Sequence, residues 1–252
     1  MNLKDRVAVV TGSGTGIGRA VAEHFGRAGA HVVVNYRESR EAAEEVVGAI
    51  QTAGGTAVAI AADVSKRSGA KELMEETVRQ FGRIDCLVNN AGWSTRIPHH
   101  QLDDLTDEIW ERTMNTNLRG AFYCVRSAVP HLKKQPGASI VNVASVAALM
   151  GQGSSLAYAA SKGGMVTMTK SLARALAPGI RVNAVLPGFV RTRFAGWTED
   201  AFASAETITP LKHLATGDDV AEAVIFFAAH APATTGETIV VDGGTSTLGP
   251  TY

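Results

Sequence analysis

Tyr158 and Lys162 stand four residues apart in Tyr158-Ala-Ala-Ser-Lys162. On a helix that spacing puts both side chains on one face, their roots about 5–6 Å apart. An isolated phenol titrates near ~10, too high for efficient proton transfer at neutral pH. A neighbouring ammonium favours the phenolate and lowers that value. The pair is therefore a candidate acid/base for an alcohol or carbonyl oxygen, although helices also carry Tyr and Lys at this spacing on solvated faces. Ser145 closes the run Val141-Asn-Val-Ala-Ser145 upstream, where its hydroxyl would hold a substrate oxygen beside the phenol.

A second constellation lies near the start of the chain. Residues Thr11–Gly18 read TGSGTGIG, directly after the apolar run Val7–Val10. Glycines between a strand and a helix let main-chain N–H groups and the positive helix end face a pyrophosphate. The spacing does not fit G-x-G-x-x-G, and turns use glycine as well. At the end of the second apolar run, Asn35-Tyr36-Arg37 offers no acid for a ribose 2′-hydroxyl. Arg37 can instead present its planar fork to a 2′-phosphate, with Ser39 adding a hydroxyl, so NADP(H) is preferred. Glu38 leaves room for NAD(H), and Arg37 also reads as a solvated residue neutralised by Glu38.

The elements that must position these groups follow from the hydrophobic pattern. Apolar runs at Val7–Thr11, His31–Asn35, Ala57–Ala61, Ile84–Asn89, Ser139–Ala144, Ile180–Leu186 and Thr238–Val241 are mostly continuous, as in strands covered on both faces. Between them Gly18–Gly29, Arg40–Ala53, Lys66–Phe81, Thr106–Lys134 and Ala157–Ala177 have helical spacing; Leu73, Met74, Thr77, Val78 and Phe81 share one stripe. Strand and helix in alternation predict a single-domain α/β Rossmann fold over 1–252, a doubly wound parallel sheet of seven strands with helices on both faces. Ligands in such sheets bind at the carboxyl ends of the strands, where TGSGTGIG falls. The stretch from Gly188 to about Thr216 lacks a clear period and reads as a lid over the site or a pair of short helices.

Composition excludes several classes. Lys+Arg and Asp+Glu number 24 each, so no net field favours nucleic acid or an anionic membrane. Hydrophobic residues at 45% and charged residues at 19% suit a soluble globular core. No apolar run is long enough to span a membrane and no secretion leader is visible. The two cysteines, Cys86 and Cys124, form no CxxC and read as buried thiols in a reducing, cytoplasmic setting. His99-His100 lacks the partners of a metal site, so no metal is expected, and the pair flanks a substrate entrance or faces solvent. Trp93, Phe189 and Trp197 are core residues or the walls of an apolar substrate pocket. Arg126, Lys133 and Lys134 read as a solvated helix face rather than a docking patch.

Taken together, the loop at Thr11–Gly18, Asn89-Asn-Ala-Gly92, Ser145, Tyr158-x-x-x-Lys162 and Pro187-Gly-x-x-x-Thr192 resemble the short-chain dehydrogenase/reductase family from about Arg6 to Gly244. The family's glycine spacing, carried here by Gly12, Gly16 and Gly18, accounts for the departure from the commoner fingerprint. The resemblance implies hydride transfer between NADP(H) and a ketone or secondary alcohol. It makes Tyr158 the general acid/base, Lys162 the group that lowers its pKa and bonds the nicotinamide ribose, and Ser145 the group that orients the carbonyl. Asn117 would anchor a water and complete a proton relay. Gly12, Ser13, Thr15, Gly16, Ile17 and Gly18 would cradle the pyrophosphate, and Asp63 with Val64 would meet the adenine. Asn89, Ala91, Gly92, Pro187, Gly188, Val190 and Thr192 would seat the rest of the cofactor, with Asn90 structural. Ser145, Tyr158, Trp93, Phe189 and Trp197 would line the substrate pocket. Within the family the chain is similar to 3-oxoacyl-carrier-protein reductases and to glucose 1-dehydrogenases. A dinucleotide-sensing regulator is the non-enzyme alternative, disfavoured because Tyr158, Lys162, Ser145 and Asn117 all stand. Family members commonly form homotetramers through the long helices and last strand, which implies contacts here through Thr106–Lys134, Ala157–Ala177 and Gly236–Gly244; the tail Gly249–Tyr252 of this chain is expected to reach a neighbouring subunit's pocket.

Overall fold

The computed structural model describes residues 2–249. The order is β1 (Val7–Val10), α1 (Gly16–Arg27), β2 (His31–Tyr36), α2 (Arg40–Thr52), β3 (Thr56–Ala61), α3 (Arg67–Phe81) and β4 (Cys86–Asn89). There follow α4 (Asp107–Met114), a π turn at Asn115–Arg119, α5 (Gly120–Leu132), β5 (Ala138–Val143), α6 (Ala147–Met150), α7 (Leu156–Leu176) and β6 (Ile180–Pro187). The chain continues through a 3₁₀ turn at Phe194–Gly196, α8 (Glu199–Ile208), α9 (Gly217–Ile225), a π turn at Phe226–His230, β7 (Thr238–Val241) and α10 (Thr245–Leu248).

All seven strands pair in parallel in the order β3-β2-β1-β4-β5-β6-β7, so the winding reverses between β1 and β4. Alternation along each strand sends side chains to opposite faces. Ala8, Val10, Val32 and Val34 pack with Val21 and Phe25 of α1, Val46 and Ile50 of α2 and Val220 and Val224 of α9. Val9, Val33, Leu87 and Ile140 pack with Leu73 and Met74 of α3, Cys124 and Val125 of α5 and Ala173 of α7. Burial on both faces is why the strands read as unbroken apolar runs. Cys86 and Cys124 are buried and unpaired, and burial pushes their thiols up to about 11 and about 12.

The expected single helix over Thr106–Lys134 is divided by the π turn at Asn115–Arg119. There the helix passes hard against the loop after β3: a Cβ on Gly120 would stand 2.9 Å from the Val64 carbonyl oxygen and 3.2 Å from that of Asn115. The segment 188–216 contains the 3₁₀ turn and α8, with Ala195 between Phe194 and Gly196 in the left-handed region at φ 58°. A bridge between Val190 and Ala215 ties its two ends. Among the described residues no helix is long and apolar enough to cross a membrane. Apart from Gly249, the tail expected to reach a neighbour lies outside the described residues.

Candidate active site

A cleft of about 1090 Å³ runs along the carboxyl ends of β1 to β6. Its floor is the glycine loop. Gly12 (φ 61°) and Gly16 (φ 57°) are left-handed, a region costly for residues with a Cβ. A Cβ on Gly12 would meet the Ala91 Cα at 2.9 Å, and one on Gly18 would meet Asn90 Nδ2 at 2.4 Å. Gly12, Thr15, Gly16, Ile17 and Gly18 line the cleft. The first turn of α1 carries no acid and its cap residue Thr15 makes no side-chain cap bond, so its leading N–H groups remain for an anion. These features fit a dinucleotide pyrophosphate.

The loops after β1 and β4 are stitched together. Thr11 Oγ1 accepts from the main-chain N–H of Asn90 and of Ala91, each at 3.0 Å. Asn90 Nδ2 donates to the Thr11 and Gly12 carbonyls at 2.9 and 3.0 Å. Two expected cofactor contacts fall elsewhere. Asn89 is buried behind the cleft and donates to Asn142 Oδ1 at 2.9 Å, because alternation at the strand end turns it away from the side that Asn90 faces. Ser13 is likewise buried, its N–H bonded to the Asn35 carbonyl at 2.9 Å and its hydroxyl to that of Val10 at 2.7 Å. Asn35 is a brace the sequence did not disclose: its Oδ1 accepts from Gly12 N–H at 3.1 Å and its Nδ2 donates to the Ala62 carbonyl at 3.1 Å.

At the β2–β3 end, Arg37, Asp63 and Val64 line the cleft. Arg37 is exposed and pairs with Glu38 at 2.7 Å. Asp63 Oδ1 accepts from the Ser65 N–H and hydroxyl at 3.1 and 2.6 Å. At the β4 and β6 ends Ala91, Gly92, Pro187, Gly188, Val190 and Thr192 line it. Thr192 Oγ1 accepts from Phe194 N–H at 3.3 Å.

Ser145, Tyr158 and Lys162 meet in the middle of the cleft. Ser155 caps α7 by accepting from the Tyr158 N–H at 3.2 Å, which sets where the helix starts and so where both side chains point. Lys162 is buried, lies 5.7 Å from the centroid of the Tyr158 ring and donates to the Val143 carbonyl at 2.7 Å. Burial lowers its pKa to about 8. The phenol moves opposite to the expectation that Lys162 would lower it: desolvation raises it to about 12, and the hydrogen bond with Ser145 only partly offsets this. Ser145 Oγ accepts from Ala147 N–H at 3.1 Å, which fixes its rotamer.

Asn117, in the π turn, is buried and does not line the cleft. Its Oδ1 accepts from Trp93 N–H at 2.7 Å, and its Nδ2 donates to the Trp93 carbonyl and to Ser161 Oγ, both at 3.0 Å. The side chain thereby braces the β4 loop against α7 rather than standing free for a water. Trp93, Phe189 and Trp197 line the cleft, joined by Phe194, which sequence reasoning passed over. Phe189 and Trp197 meet edge to face at 5.0 Å, and Phe194 lies 5.6 Å from Tyr158. His99 also lines the cleft, with Nε2 buried and unpartnered, whereas His100 is exposed. Arg126 is exposed and lies over Phe122 and Tyr123 at 5.6 and 5.3 Å.

Fold and site define a dinucleotide-binding α/β oxidoreductase. Comparison with known proteins agrees: the family described as "Enoyl-(Acyl carrier protein) reductase" matches residues 12–246. The 3beta-hydroxysteroid dehydrogenase 1 of Eggerthella lenta is 40% identical over 252 residues, covering 96% of this chain and 94% of its own. The 3-oxoacyl-[acyl-carrier-protein] reductase FabG of Staphylococcus epidermidis is 38% identical over 244 residues, covering 95% and 98%. The solved structure of a Brucella melitensis protein described as Short-chain dehydrogenase/reductase SDR:Glucose/ribitol dehydrogenase superposes with a TM-score of 0.87 at 36% identity, covering 96% and 97%. The chain belongs to the short-chain dehydrogenase/reductase family and is an oxidoreductase of alcohol and carbonyl groups.

Proposed function

We propose that the protein is an NADP(H)-dependent reductase or dehydrogenase of ketones and secondary alcohols, with Tyr158 as general acid/base. The observation that carries this is the convergence of Ser145, Tyr158 and Lys162 in one cleft with the glycine loop. When bound, the nicotinamide supplies or accepts the hydride. The glycine loop and α1 N-terminus would hold its pyrophosphate, Asp63 and Val64 its adenine side, and Arg37 the 2′-phosphate. Ser145 Oγ and the Tyr158 hydroxyl together hold the substrate oxygen. A phenol raised to about 12 stays protonated at neutral pH, so it donates a proton to a carbonyl oxygen as negative charge develops there. Lys162, largely cationic below about pH 8, stabilises the phenolate left behind. Asn117, its side chain committed to Trp93 and Ser161, would serve this reading by holding the β4 loop against α7 rather than by relaying the proton.

The FabG relative and the steroid dehydrogenase bracket the substrate alternatives, and the aromatic wall of Trp93, Phe189, Phe194 and Trp197 favours an apolar ketone over a sugar. The segment 188–216 serves as the lid of a single domain. Exposed Trp110 on α4 and Phe122 on α5 are available for packing between copies in a homotetramer, and buried unpaired thiols suit the cytoplasm. NADPH consumption with a panel of ketones tests the reading; Tyr158→Phe is expected to lower kcat at least about 10²-fold. Wild-type turnover in that variant would remove Tyr158 from the chemistry. A saturated product with its carbonyl intact would favour the enoyl reduction named by the matching family description.

A further inference from the structure

The substrate half of the cleft holds a positive side chain that no carboxylate answers. Arg96, on the loop after β4, is exposed and lies with its guanidinium 5.1 Å from the Trp197 ring centroid. Among the described residues no carboxylate is within ion-pairing distance of it. Three other cations of the cleft have partners. Arg37 pairs with Glu38, Arg191 pairs with Glu199 and Glu206, and Lys162 donates to Val143. Arg193, also exposed and lining the cleft, follows Thr192, whose Cγ2 lies 3.4 Å from where a Cβ on Gly16 would be. The acids lining the cleft are also remote from Arg96. Glu38 and Asp63 lie beyond β2 and β3, and Asp242 sits behind Gly188, accepting from the N–H groups of Gly244 and Ser246 at 2.8 and 2.7 Å.

The loop that carries Arg96 is fastened beside the reacting group. Ile97 N–H donates to the Ser154 carbonyl at 2.7 Å, and the hydroxyls of Ser94 and Ser154 lie 2.6 Å apart. The preceding Gly153 packs on the catalytic ring: a Cβ there would stand 3.1 Å from Tyr158 Cδ1. Arg96 and His99 are thus held on the substrate side of Tyr158. His99 lines the same part of the cleft, and its Nε2 is buried and unpartnered. The guanidinium lies over the Trp197 ring, and its N–H groups remain to donate to a ligand.

We propose that the substrate is an apolar ketone, or the corresponding secondary alcohol, that bears a carboxylate or similar anionic group received by Arg96 away from the reacting carbon. This deepens the reductase reading above and rests on it. Two aryl ketones that differ only in charge, 4-acetylbenzoate and methyl 4-acetylbenzoate, test it by titration of intrinsic tryptophan fluorescence. The carboxylate is expected to bind wild type about tenfold tighter than the ester. Arg96→Ala brings that ratio to about one, Arg96→Lys keeps part of it, and Arg193→Ala keeps it whole. Equal binding in wild type, no binding of either ketone, or a ratio that survives in Arg96→Ala would overturn the proposal and leave Arg96 as a brace for Trp197. NADPH oxidation with the same pair separates the two readings. Tight carboxylate binding without reduction sinks the reductase reading and keeps the anion site; reduction of both with no preference in kcat/KM does the reverse.

Discussion

Replacing Lys162 by Met should make the protein more stable while removing its activity. The ammonium is 4% exposed, and burial takes its pKa from 10.5 to about 8. That fall corresponds to a penalty of about 3 kcal/mol for holding the charge in the folded state at neutral pH. Against it stands the bond to the Val143 carbonyl at 2.7 Å, whose loss leaves a buried acceptor unmet at a cost of about 1–2 kcal/mol. The two leave Lys162→Met about 1–2 kcal/mol more stable at pH 7, or about 3–6 °C in Tm for a chain of this size. The sign with pH follows from the lowered pKa. Below about 8 both folded and unfolded lysine are charged and the penalty is complete; between about 8 and 10.5 the folded state has shed the proton and the unfolded state has not, so wild-type stability climbs. The advantage of the variant should therefore shrink from pH 7 to pH 10. Urea denaturation of both proteins at equal protomer concentration and several pH values measures it. A variant less stable at pH 7, or a gap that does not change with pH, refutes the argument that Lys162 is a strained charge retained for chemistry.

Other perturbations separate floor from flank. Gly18→Ala drives a Cβ into Asn90 Nδ2 and the Gly12 carbonyl and should cost about 1–3 kcal/mol with loss of NADPH binding by calorimetry, whereas Gly163→Ala, with nothing within 4 Å, should gain up to about 1 kcal/mol. Arg37→Ala should raise the KM for NADPH about tenfold and leave that for NADH nearly unchanged; equal preference in wild type defeats the phosphate role. Asp85 is buried at the opposite end of the sheet. Desolvation raises its pKa, but bonds from Arg83, the Val7 N–H and Arg6 together hold it below the usual carboxylate range. Asp85→Asn should cost about 2–4 kcal/mol at pH 7, and the cost should fall away as acid protonates the wild-type carboxylate, read from urea midpoints between pH 3 and 7.

What was legible beforehand is what sequence states directly. Glycines where a Cβ cannot stand, a Tyr and Lys one helical turn apart, and unbroken apolar runs all carry their geometry with them. Asn89 and Asn90 show where that stops: adjacent and chemically identical, they point to opposite sides of a strand end, and which one faces the cleft depends on register. Ser13 was hidden for the same reason. The direction of the Tyr158 shift depends on how many apolar atoms surround the hydroxyl, which spacing does not reveal. The π turn at Asn115–Arg119 lies where Gly120 closely approaches Val64, a contact between residues distant in the chain. Arg96 was legible only as one of the residues that shape the substrate site, and Phe194 was not singled out, because nothing in its neighbours' types marks a pocket wall.

The stitching of the β1 and β4 loops by Thr11 and Asn90 has a bearing on how such a chain diversifies. Both loops share bonds and behave as one plate, so an exchange on either disturbs the grip on the dinucleotide. The segment 188–216 is instead closed on itself, by the Val190–Ala215 bridge and by Arg191, paired with Glu199 and Glu206. Residues beyond Thr192 can be traded with little consequence for the plate. Inheritance of cofactor use and drift of substrate choice are thereby assigned to different stretches of the same chain, and a new specificity can be tried without risking the old chemistry.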